Sequence, residues 1–156
     1  AVDKIAELLV QSNRKNFLFD VGGEIISSGS KHGVPWLIGI QNPSITQNQS
    51  IMEVSSSNYL AVATSGEYRN QKINDSGDII SHTFVPNTKL SIEDKSYSVT
   101  VASDKSSMSA DAWATALNVL GPEKGIKLAN EQDIAVMYIM QKDQNIIKSK
   151  SWNYSD

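Results

Sequence analysis

Residues 16–28 read Asn16-Phe-Leu-Phe-Asp20-Val-Gly22-Gly23-Glu24-Ile-Ile-Ser-Ser28, two runs of aromatic and β-branched residues on either side of a glycine pair. Such runs favour strands because bulky side chains branched at Cβ fit a pleated, half-buried surface. The pair between them has two readings. Two glycines form a tight turn between strands. Lacking Cβ atoms, they also let the backbone approach a ligand and aim its N–H groups at phosphate oxygens or a ring edge. On pattern alone the turn is the plainer of the two.

The same texture extends outward. Strands are expected at Trp36 to Ile40, Ile51 to Val54, Tyr59 to Thr64, Asp78 to Thr83 and Ser96 to Ala102, separated by glycine and polar clusters. Upstream, Val2, Ile5, Ala6 and Leu9 recur at helical spacing and predict an amphipathic helix from residue 1. No capping residue precedes it, and Asp3 lies inside the pattern, so the opening is expected to be a cut in a longer chain. Downstream, a helix is expected from Ala110 to Leu120, capped by Ser109 and stopped by Gly121-Pro122. A short helix should start at Pro122 and run to Asn130. A hairpin of Asp133 to Met140 with Gln144 to Ile147 and a polar tail close the chain. With strands gathered first and helices at the N-terminus and in the C-terminal third, the expectation is one α+β domain over residues 1–156 around a mostly antiparallel sheet.

Composition removes several function classes. The 156 residues carry a net charge of −3, which disfavours a nucleic-acid surface, because phosphate affinity depends on clustered Lys and Arg. No stretch approaches the roughly 18 to 20 apolar residues of a membrane helix. Cysteine is absent, which removes disulfides, thiolate metal sites and cysteine nucleophiles together and leaves the compartment open. The sequence shows no nucleophilic triad, zinc ligand set, P-loop or Gly-x-Gly-x-x-Gly fingerprint.

Three further segments carry chemistry-bearing residues. Ala63-Thr64-Ser65-Gly66-Glu67-Tyr68-Arg69 ends a strand with small hydroxyls beside a glycine. It suits either a polar turn or a phosphate or nucleotide edge, with Arg69 able to add a charge-assisted bond. His82, in Ser81-His-Thr-Phe-Val85-Pro-Asn-Thr-Lys89, sits on a strand before a proline turn. It is the better placed of two histidines for proton transfer, His32 reading as a surface residue, although a lone histidine on a strand is more often structural. Ser109-Ala-Asp111-Ala-Trp-Ala-Thr115 sets a carboxylate and a hydroxyl four residues apart near a helix start. On one helical face both oxygens can reach a hard cation such as magnesium, although Asp111 also suits the helix dipole and Thr115 also suits packing.

Taken in order, Ala1-Val-Asp3, Asp20 to Glu24, Trp36 to Gln41, Val62 to Arg69, Ser81-His82, Ser98 to Val101, Ala110 to Leu117 and Gly121-Pro-Glu-Lys-Gly125 resemble the C-terminal half of the ApbE flavin transferases. The chain then corresponds to about half of an ApbE-like domain. The resemblance implies a magnesium-dependent enzyme that cleaves FAD, attaches FMN through a phosphoester to a threonine of a target flavoprotein and releases AMP. It implies Asp111 and Thr115 as magnesium ligands and His82 as the histidine of flavin transfer, with Gly22, Gly23, Thr64, Ser65 and Gly66 lining the FAD site. It also implies a missing N-terminal half, or a second chain, that completes the pocket. A periplasmic or inner-membrane location, with any lipid anchor outside this stretch, follows from the family alone.

The sequence departs from the family pattern His-x-x-Asp-Pro-x-Thr-Gly at two places, Val85 for aspartate and Lys89 for glycine. Valine cannot accept a hydrogen bond or orient His82, and lysine lacks glycine's freedom at positive φ. These departures motivate one rival reading, a catalytically degenerate flavin-binding or scaffold protein; the resemblance itself allows another, an FAD pyrophosphatase giving FMN and AMP, and the uncapped first helix and bare strand edges a third, one half of a cleaved or domain-swapped assembly.

Overall fold

A computed structural model of the chain describes residues 2–43, 49–66, 72–73, 79–80 and 96–154. Helix α1, Val2–Gln11, buries Val2 and Ala6 and rests Leu9 against Phe17, Ile26 and Ala61. Ile5, expected on the buried stripe, is 41% exposed, so the contact stripe is narrower than the periodicity implied. Asn13 ends the helix in the left-handed region at φ 57°, a conformation asparagine tolerates, and its N–H donates to the Val10 carbonyl at 3.0 Å.

Strands β1, Phe17–Val21, and β2, Glu24–Ser28, pair antiparallel with Val21 opposite Glu24. The two-residue loop between them is Gly22 and Gly23, at φ 69° and 95°. Two successive positive φ angles are what a primed hairpin turn requires and what glycine supplies without steric cost. The Asp20 carboxylate fastens the turn by accepting the Gly23 N–H at 2.8 Å.

Next come β3, Ser30–Lys31, β4, Val34–Gln41, and β5, Ser50–Ser56, which form a separate three-stranded sheet. The short β3 was not anticipated; it exists because His32 and Gly33 both take positive φ and turn the chain straight back into β4. Strand β6, Leu60–Ser65, pairs with β2 and returns the chain to the first sheet. The two-residue strands β7, Lys72–Ile73, and β8, Ile79–Ile80, pair with each other; the rest of the strand expected from Asp78 to Thr83 lies outside the described residues. Strand β9, Tyr97–Ser103, helix α2, Ser107–Leu120, helix α3, Pro122–Glu131, and the hairpin of β10, Ala135–Met140, with β11, Ile146–Lys148, complete the order. The main sheet runs β1-β2-β6-β9-β10-β11, with every neighbouring pair antiparallel. The α+β expectation with a mostly antiparallel sheet stands.

Side chains alternate across this sheet. One face carries Ala63, Val99, Val101, Val136 and Tyr138 against Ala110, Ala114 and Leu117 of α2 and Ala129 of α3. The other carries Val62, Ala102, Met137 and Ile139 against Ile38, Ile40 and Val54 of the small sheet. The expected polar tail is instead docked: Trp152 is 8% exposed, Tyr154 packs beside it, and the Tyr154 carbonyl accepts the Ser55 N–H at 3.2 Å.

Helix α2 begins three residues earlier than expected, and its cap is Ser106 rather than Ser109. Ser106 has extended dihedrals, φ −160° and ψ 146°, and its hydroxyl accepts the Ser109 N–H at 2.9 Å. Ser109 is therefore the capped residue and not the cap. Ser106→Ala should cost about 1 kcal/mol, read as a lower urea midpoint with unchanged slope. An unchanged midpoint would show that other contacts hold the helix start.

Candidate functional site

Helix α2 crosses the main sheet over β6 and β9 and brings its polar side to their ends. Asp111 and Thr115 are both exposed on it. The Thr115 hydroxyl lies 3.4 Å from the hydroxyl of Ser65, the last residue of β6, a close approach longer than an ordinary O–H···O bond. The strand-end hydroxyl and the Thr115 hydroxyl, fifty residues apart in sequence, thus come together, with Asp111 one helical turn before Thr115.

The expected lining group does not stay together. Thr64 and Ser65 are consecutive on a strand and so face opposite sides of the sheet. Ser65 joins Thr115 on the helix side. Thr64 turns to the small-sheet side, 2.9 Å from the hydroxyl of Thr100, and with Gly23 lines a cleft of about 340 Å³ whose far wall is Ile38, Gly39 and Ile40. Gly22 is exposed at the hairpin loop, and Gly66 follows β6 at its open end. A ligand touching all five residues would have to wrap the end of the sheet. His82, Val85, Lys89 and Arg69 lie outside the described residues.

A larger cleft of about 740 Å³ opens on the helix side, where Asp111 shares its walls with Asp3, Glu24, Tyr59, Lys105 and Ser106. Two carboxylates here, which sequence reasoning did not single out, hold the start of α2. Asp3 accepts the N–H groups of Ser107 at 2.7 Å and Met108 at 3.0 Å, together with the Tyr59 hydroxyl at 2.9 Å. Glu24 accepts the Ser107 hydroxyl at 3.0 Å. No local pattern could have exposed the first link, because Asp3 and Ser107 are 104 residues apart.

Partial burial pushes the Asp3 carboxyl up, but the Met108 and Ser107 N–H groups and the Tyr59 hydroxyl outweigh it, and the group sits below its ordinary value of 3.8. Burial, then the bond to Asp3, pushes the Tyr59 phenol far up. A lowered carboxylate contributes stability that is complete above its unfolded value and is lost as pH falls through the lower folded value. The stability advantage of the wild type over Asp3→Asn should therefore be constant near neutrality and shrink below about pH 4. Thermal unfolding of both from pH 7 to 3 measures it, with Lys4, Glu7, Glu24, Lys105 and Asp111 as the other charged groups around the same cleft. A difference that persists unchanged in acid would remove Asp3's charge from the account.

The donors at the Ser65–Thr115 junction are all oxygen, which suits a hard cation. Among the described residues no group of three or more His, Cys, Asp or Glu side chains is placed to hold a metal. The donor set still fits magnesium in particular, which keeps several waters and takes one or two carboxylates plus substrate phosphates rather than a protein cage.

Fold and site together define an α+β half-domain in which a helix-borne hydroxyl meets the hydroxyl end of a central strand, with a carboxylate one turn earlier on the same helix. A model of the ApbE family matches residues 1–138. The chain is 41% identical over 143 residues to the FAD:protein FMN transferase of Vibrio cholerae, covering 91% of this chain and 42% of that one. It is 37% identical over 150 residues to the Escherichia coli K12 protein of the same name, at 96% and 42%. Among solved structures, the flavin transferase ApbE from Vibrio cholerae superposes with a TM-score of 0.77 at 35% identity, covering 97% of this chain and 48% of that one. The apo flavinyl transferase ApbE of Pseudomonas stutzeri gives 0.75 at 32%, covering 97% and 46%. The chain belongs to the ApbE family, and it spans about half the length of the relatives it matches.

Proposed function

We propose that the whole protein of which this chain forms a part transfers FMN from FAD to a threonine hydroxyl of a target flavoprotein, with magnesium, releasing AMP. The observation that carries this reading is the meeting of Ser65 with Thr115 beside Asp111, which gathers oxygen donors at the end of a strand where a phosphate can approach. The names of the relatives support the flavin chemistry.

In this reading Asp111 and Thr115 hold the cation from one helical face, and Ser65 and Gly66 meet the phosphates. Gly23 and Thr64 line the part of the flavin site on the opposite face of the sheet, with Gly22 at the loop tip. Bound magnesium would offset the charge that accumulates on the pyrophosphate. His82 takes the proton of the attacking hydroxyl. The reading also carries an N-terminal half that closes the pocket, and a location in the periplasm or at the inner membrane facing it.

Val85 and Lys89 favour one second reading, a protein on the same scaffold in which transfer is lost. Magnesium-dependent AMP release from FAD by the whole protein, with and without a threonine-bearing acceptor, separates the two. FMN covalently bound to the acceptor supports transfer, and AMP without bound flavin supports a pyrophosphatase. No turnover with retained FAD binding supports a degenerate binding protein, and neither turnover nor binding would remove the flavin reading altogether.

A further inference from the structure

We propose that Asp3 is a positioning residue for the cation pair: by holding the first turn of α2, it fixes where Asp111 and Thr115 stand relative to Ser65. The inference rests on the reading of Asp111 and Thr115 as cation ligands and adds a residue that touches neither the cation nor the substrate.

The four leading N–H groups of an α-helix have no partner within it. In α2 each has one. Asp3 takes those of Ser107 and Met108, the Ser106 hydroxyl takes that of Ser109, and the Ser103 hydroxyl takes that of Ser106 at 3.3 Å. Asp3 does this with both carboxylate oxygens, so it fixes the rotation of the first turn as well as its position. Charge-assisted bonds are stronger than neutral ones, and a carboxylate at a helix N-terminus also meets the positive end of the dipole.

Three contacts keep this clamp from drifting. Asp3 lies on α1, whose Val2 and Ala6 are buried against the main sheet. The Tyr59 hydroxyl steadies its Oδ1 atom, and Glu24 grips the Ser107 hydroxyl from β2. Ser107, Asp111 and Thr115 are spaced at i, i+4 and i+8, so one face of α2 carries the clamped residue and, one and two turns on, the two donors. A rotation of the first turn reaches Asp111 directly. Thr115 is held less strongly, by the 3.4 Å approach to Ser65 and by packing of Ala114 and Leu117.

The experiment titrates Mn²⁺, a spectroscopic substitute for magnesium, into the whole protein by electron paramagnetic resonance. The variants are Asp3→Asn, Asp111→Ala and Ile139→Val, the last a core substitution that lowers stability far from α2's first turn. Asparagine keeps one acceptor but loses the charge and the second oxygen. Partners that orient metal ligands are worth about 10- to 100-fold in affinity, so Asp3→Asn should weaken Mn²⁺ binding about 10-fold. Amide exchange at Ser107 and Met108 should accelerate in the same variant, while Ile139→Val keeps wild-type affinity.

Wild-type affinity in Asp3→Asn, with Asp111→Ala binding lost, would overturn the positioning role and leave the cation site standing. Equal weakening in Ile139→Val would reduce Asp3 to general stability and overturn it likewise. Binding unaffected by Asp111→Ala would remove the cation site, and the positioning role with it. If Asp3→Asn fails to fold, Tyr59→Phe removes only the hydroxyl that steadies Asp3 and should weaken Mn²⁺ by about threefold; no change there would overturn the proposal.

Discussion

Replacing Asp111 with alanine in the whole protein is expected to lower magnesium-dependent AMP release from FAD by about 100-fold or more. Of Asp111, Thr115 and Ser65, Asp111 alone carries charge; Thr115 and Ser65 offer neutral hydroxyls. A cation that offsets developing phosphate charge is worth several kcal/mol, and losing one preorganised stabilising group in an active site costs about 10²- to 10³-fold. Thr115→Ala should cost less than Asp111→Ala, and Thr115→Ser, which keeps the oxygen, least of all. The fold should not notice, because Asp111 is exposed on a helix and surface substitutions of that kind stay within about 0.5 kcal/mol. A lost turnover with unchanged thermal unfolding is thus the expected pair of results. Raising magnesium should recover part of the rate if the residue binds the cation. Unchanged turnover, or a loss that tracks unfolding, would dismiss Asp111 as a ligand.

Much of the fold was legible because its signals are local. The runs around Gly22-Gly23 gave β1 and β2 nearly to the residue, since strand propensity and a two-glycine turn are both properties of neighbouring residues. Gly121-Pro122 marked the corner between α2 and α3 for the same reason. The errors fall where several local answers compete or where a partner is remote. Ser106, Ser107 and Ser109 are all eligible caps by composition, and only the extended backbone at Ser106 decides among them. Trp152 reads as part of a polar tail until the small sheet supplies the surface that buries it.

The candidate site was half legible for the same reason. The i, i+4 spacing of Asp111 and Thr115 is a local fact of helix geometry and survives in the structure. Grouping Thr64 with Ser65 was reasonable along the sequence but ignored the two-residue period that sends them to opposite faces of the sheet. In the sequence Asp3 stands inside a helical pattern and in the Ala1-Val-Asp3 segment of the family resemblance, with no role attached to its carboxylate. Its significance comes from Ser107 and Met108, and nothing near residue 3 refers to them.

Gly125→Ala should destabilise the protein by about 2 kcal/mol, although alanine is the better helix former by roughly 1 kcal/mol. Gly125 is buried in α3, and a Cβ there would overlap the Tyr138 hydroxyl and lie 2.9 Å from its Cζ. Tyr138 cannot step aside cheaply. Its hydroxyl donates toward the Leu117 carbonyl at 2.9 Å and the Gly121 carbonyl at 3.2 Å, and its ring meets Tyr97 edge to face at 5.6 Å. Overpacking of a filled core costs about 1–3 kcal/mol, and displacing the hydroxyl adds a hydrogen-bond loss of about 1 kcal/mol. The fall in Tm should be roughly 4–8 °C for a chain of this size. The double variant is the sharper measurement. Tyr138→Phe alone should cost about 1 kcal/mol through the lost bonds. In the Gly125→Ala background the same change removes the overlapping atom and should cost nothing or restore stability, a coupling of more than about 1 kcal/mol between residues in contact. Additive effects would mean that α3 has room to shift. In that case the Leu117–Gly121 corner, which ends α2 just past Thr115, is not the fixed anchor that these hydrogen bonds describe.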